Sequence, residues 1–174
     1  MKINYIFFGT SEFSVDVLNQ LKEANILPQL IVTTPDSPQG RGLKMTPCPV
    51  RIWADANNIK NIQPERISGD FSAQLNSFKI EWDVFVVVSY GKIIPKEILE
   101  LPKKGIVNVH PSLLPKHRGP APIETSILND DLKTGVTIML IDEKVDHGPI
   151  LAQEVVEFSE WEHKDIVSEK LAIV

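Results

Sequence analysis

Apolar runs of strand length alternate with segments of helical periodicity along most of the chain. The run INYIFF (residues 3–8) ends at Gly9, and apolar side chains then recur at helical spacing over residues 11–25. The same alternation predicts further strands at 30–34, 59–63, 83–91 and 105–110, and helices at 49–58, 72–78 and 95–101. Strands that alternate with helices predict an α/β fold, with a mostly parallel sheet and helices on both of its faces.

The last third of the chain departs from this alternation. Residues 134–142 (TGVTIMLID) and 149–158 (PILAQEVVEF) are extended runs joined by EKVDHG, which predicts a hairpin-like edge of the sheet. The chain then ends inside a helical pattern, SEKLAIV. We therefore expect residues 1–174 to form one domain that is truncated near its C-terminus.

Composition and charge restrict the class of protein. With 174 residues, 43% of them hydrophobic, the chain is large enough for one domain with a sizeable core. The formal net charge of −5 argues against a surface that binds nucleic acid as a whole, so any such contact must be local. Cys48 is the only cysteine, and no signal peptide or membrane-length apolar run is present. We expect a soluble, cytoplasmic protein that acts as a monomer.

The stretch GIVNVHPSLLPKHRGPAPI begins as a strand but carries polar side chains. Because side chains alternate between faces, Val107 and Val109 point one way, while Asn108 and His110 point the other way together. Pro111 lacks an N–H and helps to end the strand, which places the polar pair at its carboxyl end. An amide donor beside an imidazole suits acyl chemistry, because fixed donors stabilise the negative oxygen that develops on a carbonyl.

A carboxylate near His110 would orient the ring and favour its charged, hydrogen-bond-donating form. Asp146, in the connection between the last two extended runs, is the best distant candidate. Other interpretations stay open at this point. Asn108 and His110 also fit a structural role at a strand end, and Asp146 fits a tight turn. A metal site of His110, His117, His147 and Asp146 is a further alternative, although no closely spaced histidine pair supports it.

Several segments suited to ligand binding fall at predicted strand ends. Gly9, residues 89–91 (Ser-Tyr-Gly) and residues 108–110 are predicted to meet on one rim, where parallel sheets bind ligands. The long segment TPDSPQGRGLKMTPCP contains Arg41 and Lys44 and few acidic residues. Long loops in compact domains are often binding loops, although a solvated charged loop is the alternative.

These segments resemble the folate-dependent formyltransferase family. The pair Asn108-x-His110, the following PSLLPKHRGPAPI and the segment TGVTIMLIDEKVDHGPIL match the signature of that family in order. The resemblance implies a Rossmann-like formyltransferase fold and a catalytic set of Asn108, His110 and Asp146. It also implies 10-formyltetrahydrofolate as the formyl donor, and no metal. His147 departs from the pattern, because the family often has Thr there.

The resemblance also implies where the folate binds. Its pterin would lie beside the backbone of the loop that follows the strand at 83–91, and near the segment IDEKVD. The implied contact residues are Val88, Ser89, Tyr90, Gly91, Ile141 and Asp142.

The basic loop resembles the inserted loop of those family members whose acceptor is initiator methionyl-tRNA, where the loop enters the acceptor end of the tRNA. Arg41, within Gly-Arg-Gly, and Lys44 are thereby implied to contact tRNA. The complete enzymes of that kind carry a C-terminal tRNA-binding domain, which we expect to be absent here. An amino sugar or glycinamide ribonucleotide as acceptor, a hydrolase that uses water, and a folate-binding remnant without catalysis stay open as alternatives.

Overall fold

A computed structural model describes residues 3–174 of the protein. Its strands, in chain order, are β1 (Tyr5–Gly9), β2 (Leu30–Val32), β3 (Ser37–Gln39), β4 (Lys44–Thr46), β5 (Asn61–Ile62), β6 (Val84–Val88), β7 (Ile106–His110), β8 (Lys133–Leu140) and β9 (Ile150–Glu157). Its helices are α1 (Glu12–Glu23), α2 (Pro49–Ala56), α3 (Gly69–Asn76), α4 (Lys96–Leu99), α5 (Pro122–Leu128) and α6 (Lys164–Ile173). None of these helices within residues 3–174 is long and apolar enough to cross a membrane.

Seven strands form one sheet, in the order β5-β2-β1-β6-β7-β8-β9. The first five strands in this order pair in parallel. Strand β8 runs antiparallel to β7, and β9 runs antiparallel to β8. The predictions of a mostly parallel sheet and of a hairpin-like edge are therefore confirmed.

The two faces of the sheet carry separate apolar clusters, because successive side chains of a strand point to opposite faces. In β1, Phe7 belongs to the cluster that α1, α2, α5 and α6 cover. Ile6 and Phe8 belong to the second cluster, which α3 and α4 cover. The predicted arrangement, with helices on both faces, is thus confirmed, and the second cluster borders the site described below.

The carboxyl ends of β1 and β6 are joined by side-chain hydrogen bonds. Ser14 Oγ donates to the carbonyl oxygen of Val88 over 2.6 Å, and Thr10 Oγ1 donates to that of Tyr90 over 3.0 Å. The absence of a side chain at Gly9 permits this close approach, since a Cβ there would lie 2.9 Å from the Cβ of Ser14. These contacts fix the β1 and β6 part of the predicted rim.

Two elements differ from the sequence-based prediction. The basic loop folds as the short β3–β4 hairpin, and the stretch after Gly119 contains the helix α5. The two hairpin strands have three residues each and α5 has seven, so these elements are too short to give a clear periodic signal. Two helix starts also shift: α3 begins at Gly69, before the predicted position 72, and Pro95 caps α4 instead of lying in its first turn.

Candidate active site

Strand β7 lies between β6 and β8 and carries the polar pair singled out in the sequence. Its register sets Asn108 beside Val87 of β6, and His110 beside Thr137 of β8. Asn108 and His110 share a strand face with Ile106, which packs in the apolar cluster under α3 and α4. The side chain of His110 is only 6% exposed, so protein atoms enclose most of the imidazole.

The connection between β8 and β9 brings Asp146 to the same place. This connection leaves β8 beside the start of β7, where the amide of Ile141 donates to the carbonyl of Ile106 over 2.8 Å. It then reaches the polar pair: Oδ1 of Asp146 lies 3.4 Å from Nδ2 of Asn108 and 3.7 Å from Nδ1 of His110. The three residues proposed as catalytic are therefore neighbours in space.

The carboxylate of Asp146 has partners on two sides. Its side chain is 10% exposed, and a charge with so little water around it needs partners within the protein. The backbone amide of Gly119 donates to Oδ2 over 2.9 Å, while Oδ1 faces Asn108 and His110. Asp146 has a backbone φ of 47°, in the left-handed region that Asp tolerates better than most residues.

The contacts of His110 define where its protons lie. Nε2 of His110 is 3.0 Å from the carbonyl oxygen of His117. A carbonyl oxygen only accepts hydrogen bonds, so Nε2 carries a proton in this arrangement. Nδ1 then has a proton to offer toward Asp146 only when the ring is doubly protonated. The carbonyl of His117 therefore selects the Nε2-protonated tautomer of a neutral ring, and a second proton on Nδ1 would face Asp146.

Thr137 and Gln153 hold the loop that follows His110. Thr137 Oγ1 donates to the carbonyl of Ser112 over 2.6 Å and accepts from the amide of Leu114 over 3.1 Å. The side-chain amide of Gln153 donates to the carbonyl of Leu114 and to Thr137 Oγ1. The sequence did not single out these two residues, because a Thr or a Gln in a strand has ordinary structural roles.

The residues expected to contact folate after β6 form a tight turn. Ser89 and Gly91 have φ values of 45° and 80°, and the side chain of Val88 is fully buried. Tyr90 is 2% exposed, and its ring packs edge-on against Phe8 with centroids 5.4 Å apart. Its hydroxyl has no hydrogen-bond partner among residues 3–174, and burial raises the pKa of Tyr90, so the phenol stays neutral. Tyr90 therefore belongs to the apolar cluster under α3 and α4, which borders the site.

Ile141 and Asp142, the other expected folate contacts, begin the loop that carries Asp146. Ile141 packs against the apolar cluster under α3 and α4. Asp142 accepts hydrogen bonds from Nδ1 of His147 over 2.7 Å and from the amide of Lys144 over 2.8 Å. The hydrogen bond from His147, followed by that from Lys144, lowers the pKa of Asp142. These bonds close the loop on itself.

Arg41 and Lys44 lie at the tip of the β3–β4 hairpin, and both are exposed. The hairpin is anchored at its base, where Asp36 accepts hydrogen bonds from Arg51 of α2 and from Gln63 after β5. The hydrogen bonds from Gln63 and from Arg51 lower the pKa of Asp36. No local sequence pattern indicates this anchor, because its partners lie 15 and 27 positions from Asp36.

The histidines that a metal site would need are separated. His117 pairs with Asp131, and His147 pairs with Asp142. Among residues 3–174, no group of three or more His, Cys, Asp or Glu side chains is placed to hold a metal ion. The alternative of a four-residue metal cluster is therefore not formed by the described residues.

The arrangement of Asn108 and His110 is suited to a carbonyl substrate. The contacts of 3.4 and 3.7 Å to Asp146 are longer than ordinary hydrogen bonds, so the amide of Asn108, and Nδ1 of His110 when the ring is protonated, stay available to a carbonyl oxygen. Two fixed donors beside one carboxylate can stabilise an oxyanion and also accept or return a proton.

Relatives with known names match this chain over nearly all of its length. Residues 1–173 match the family model described as formyl transferase. The chain is 43% identical to the methionyl-tRNA formyltransferase of Thermodesulfovibrio yellowstonii, over 100% of this chain and 56% of that protein. It is 45% identical to the methionyl-tRNA formyltransferase of Pelotomaculum thermopropionicum, over 97% of this chain and 54% of that protein. The chain thus spans about half the length of these curated relatives.

Solved structures share the fold. The phosphoribosylglycinamide formyltransferase from Bacillus halodurans superposes with a TM-score of 0.72 at 25% identity, covering 97% of this chain and 87% of that one. A formyltetrahydrofolate deformylase from Pseudomonas syringae gives a TM-score of 0.69 at 16% identity, covering 99% of this chain and 59% of that one, and shows the fold alone. With the family match over residues 1–173 and relatives 43% and 45% identical, the chain belongs to the formyl transferase family.

Proposed function

We propose that this chain catalyses the transfer of a formyl group from 10-formyltetrahydrofolate to the α-amino group of methionyl initiator tRNA. The observation that carries the proposal is the contact of Asp146 with both Asn108 and His110, over 3.4 and 3.7 Å, at the carboxyl end of β7. Ligands bind at this end of the strands in open α/β sheets. Asn108, His110 and Asp146 are therefore the catalytic residues of the proposal.

The proposed reaction uses these residues in turn. The neutral amine attacks the formyl carbon and forms the new C–N bond, while the carbonyl electrons move to oxygen, which Asn108 and protonated His110 stabilise. The carbonyl then reforms, and the bond to N10 of the folate breaks, leaving its electron pair on that nitrogen. His110 and Asp146 carry the proton lost by the amine to N10. The net change exchanges one formyl group for one proton.

The folate is proposed to bind beside the second apolar cluster. The pterin would lie against the backbone turn after β6 and the start of the loop after β8, which flank Asn108 on its strand face. The residues proposed to contact it are Val88, Ser89, Tyr90, Gly91, Ile141 and Asp142. Because Tyr90 is buried against Phe8, its proposed part is to form the wall, with the backbone of the turn making the polar contacts.

The proposed acceptor rests on the basic hairpin and on the relatives. Arg41 and Lys44 project from an exposed hairpin tip, where a charged polymer can reach them. The relatives at 43% and 45% identity are named methionyl-tRNA formyltransferases. We propose that these two cations contact the tRNA backbone while the rest of the acidic surface limits nonspecific binding.

Residues 1–174 are proposed to act as a catalytic domain that a C-terminal tRNA-binding domain completes. This part of the proposal is supported by the length of the relatives, since the chain spans only about half of each one. We further propose that the enzyme works in the cytoplasm, as a monomer, where its acceptor and donor are available together.

The test is an acceptor comparison with full-length protein. Formyl transfer from 10-formyltetrahydrofolate is measured with methionyl initiator tRNA, with an amino-sugar nucleotide and with glycinamide ribonucleotide as acceptors. Transfer to the tRNA alone is the expected result. Transfer to a small amine alone would keep the catalytic residues and overturn the acceptor. Bound folate without transfer to any acceptor would overturn the catalytic proposal.

One specific observation supports a second candidate. The solved structure from Bacillus halodurans, 25% identical, is named a phosphoribosylglycinamide formyltransferase, so glycinamide ribonucleotide is the small amine to test first. The hairpin distinguishes the candidates, because deleting its tip at residues 40–43 is expected to abolish use of tRNA but not use of a small amine.

A further inference from the structure

A single carboxylate, Asp131, holds two consecutive residues of the loop that follows His110. Oδ2 of Asp131 lies 2.8 Å from Nε2 of His117, and Oδ1 lies 2.7 Å from Nζ of Lys116. His117 is 7% exposed on its side chain, whereas Lys116 is 54% exposed. Asp131 lies between α5 and β8, and its own amide donates to the carbonyl of Ser126 over 3.0 Å. The loop is thereby tied to a fixed point of the fold.

The residues held by Asp131 are in an unusual backbone conformation. His117 has a φ of 56°, in the left-handed region that non-glycine residues seldom occupy. Such a conformation persists when surrounding contacts determine it. The partly buried contact between His117 and Asp131 is a contact of this kind. Glycine, which tolerates positive φ, follows two residues later at Gly119, with a φ of 108°.

The same three-residue segment, 117–119, touches both members of the His–Asp pair. The carbonyl of His117 accepts from Nε2 of His110 over 3.0 Å, and the amide of Gly119 donates to Oδ2 of Asp146 over 2.9 Å. If the backbone at His117 rotates, its carbonyl turns away and His110 loses the acceptor that fixes its proton on Nε2. The amide of Gly119 moves with it, and Asp146 loses a donor.

We propose that Asp131 is a positioning residue that sets the tautomer and orientation of His110 through the backbone of His117. Asp131 touches neither the proposed substrates nor the reacting atoms. It acts through a loop whose carbonyl and amide groups fix the two partners together. For its effect on formyl transfer the proposal rests on the proposed function, but its effect on His110 is independent of that function.

Charge supports this role. The hydrogen bond from Lys116, and after it the hydrogen bond from His117, lowers the pKa of Asp131 against the opposing effect of burial. The carboxylate therefore stays ionised at neutral pH and can accept from both neighbours at once. No uncharged side chain of similar size offers two acceptors on one planar group.

The experiment compares Asp131→Ala and the nearly isosteric Asp131→Asn with wild-type protein. The matched control is Glu157→Gln, which removes the carboxylate of an exposed ion pair with Lys133, 2.9 Å long, at the sheet edge. The first readout is the imidazole ¹⁵N NMR spectrum of His110, assigned among the four histidines by its loss in His110→Gln. The second is the separate determination of kcat and KM for formyl transfer.

Both Asp131 variants are expected to change the His110 spectrum from one tautomer, protonated at Nε2, to a mixture. They are expected to lower kcat by roughly 10- to 100-fold with KM changed less than about twofold, because misplacement of a reacting group acts on the chemical step. Glu157→Gln is expected to leave both readouts unchanged.

A lowered melting temperature with an unchanged His110 spectrum would show a merely structural role and overturn the proposal. If Asp131→Ala does not fold, Asp131→Asn decides the question by the same two readouts. If the spectrum changes as expected but wild-type protein formylates no acceptor, the positioning role stands and the proposed function fails.

Discussion

Asn108 and His110 share one oxygen of Asp146, at 3.4 Å from the amide nitrogen of Asn108 and 3.7 Å from Nδ1 of His110. Both distances exceed those of ordinary hydrogen bonds, and catalytic contacts of this length often shorten when substrates bind. The shared oxygen keeps the two donors pointed at one volume. In the proposed reaction, a formyl oxygen that enters this volume would receive two directed hydrogen bonds in place of these long contacts.

Replacing His110 tests the donor role. His110→Ala is expected to lower kcat for formyl transfer by at least about 10²- to 10³-fold, the usual loss when one oxyanion donor is removed. The dissociation constant for 10-formyltetrahydrofolate is expected to change little, because the proposed folate contacts come from other loops. Steady-state kinetics and equilibrium binding measure the two quantities. The exposed His163 gives the control His163→Ala, and unchanged turnover in His110→Ala would remove this residue from the mechanism.

Two substitutions at Asp146 separate its charge from its backbone conformation. Asp146→Asn keeps a side chain that tolerates the observed φ of 47° and can still accept from Gly119, so near-wild-type stability with strongly reduced kcat is expected. Asp146→Ala adds the strain of a left-handed residue without such a side chain, about 1–3 kcal/mol. Thermal unfolding and kcat are measured for both. Equal stability of the two variants would contradict the assigned role of the backbone.

The polar pair of β7 follows from the sequence by strand alternation alone, and Pro111 marks the end of the strand. The approach of Asp146 to this pair does not follow from the sequence. Asp146 lies 36 residues after His110, and the connection that carries it has to fold back across the strand face. The sequence also gives no sign of the acceptor at His117 or the donor at Gly119, since these are backbone atoms whose directions depend on tertiary structure. Local patterns thus predicted the seven strands of the main sheet, whereas the contacts between loops could be seen only in the folded structure.

Replacing Arg41 tests the basic hairpin. Arg41→Ala is expected to raise KM for methionyl initiator tRNA and to reduce the slope of log affinity against log salt by about one, because one phosphate contact is lost. Folate binding is expected to stay unchanged. Binding titrations at several salt concentrations measure the slope. Lys104→Ala, an exposed cation before the start of β7, serves as the control, and equal losses in tRNA and folate binding would point to a folding defect instead.

Gly148 is expected to be required for the shape of the loop between β8 and β9, which carries Asp146. A Cβ at this position would lie 2.0 Å from the carbonyl oxygen of Leu140, which is backbone and has little freedom to move. Gly148→Ala is therefore expected to destabilise the protein by about 1–3 kcal/mol and to lower kcat by displacing Asp146. Gly69→Ala has open space around its Cβ and is the matched control. Chemical denaturation measures the free energy of unfolding. If Gly148→Ala and Gly69→Ala have identical values, the close approach of residue 148 to the carbonyl oxygen of Leu140 is contradicted.

The anchor of the hairpin is expected to weaken in acid. The folded-state pKa of Asp36 is lowered by hydrogen bonds from Gln63 and Arg51, so its stabilising effect is present above the ordinary value of 3.8 and is lost as pH falls through the lowered value. The protection of hairpin amides against hydrogen exchange, corrected for the intrinsic exchange rate at each pH and measured from neutral pH down to about pH 2, is expected to fall at the acid end. In Asp36→Asn, this protection is expected to be lower and less dependent on pH. If the wild-type protein and Asp36→Asn show the same pH dependence, the loss of protection in acid must come from other carboxylates.

The hairpin and the catalytic residues are attached to different parts of the scaffold. The hairpin base is fixed through Asp36 to α2 and to the chain after β5, whereas the His–Asp pair is fixed by β7 and by the loops that follow β7 and β8. Insertions or replacements at the hairpin tip can therefore accumulate without altering the alignment of the reacting groups. If the proposed activity holds, the reaction centre could in this way be inherited intact while the molecule that receives the formyl group is exchanged.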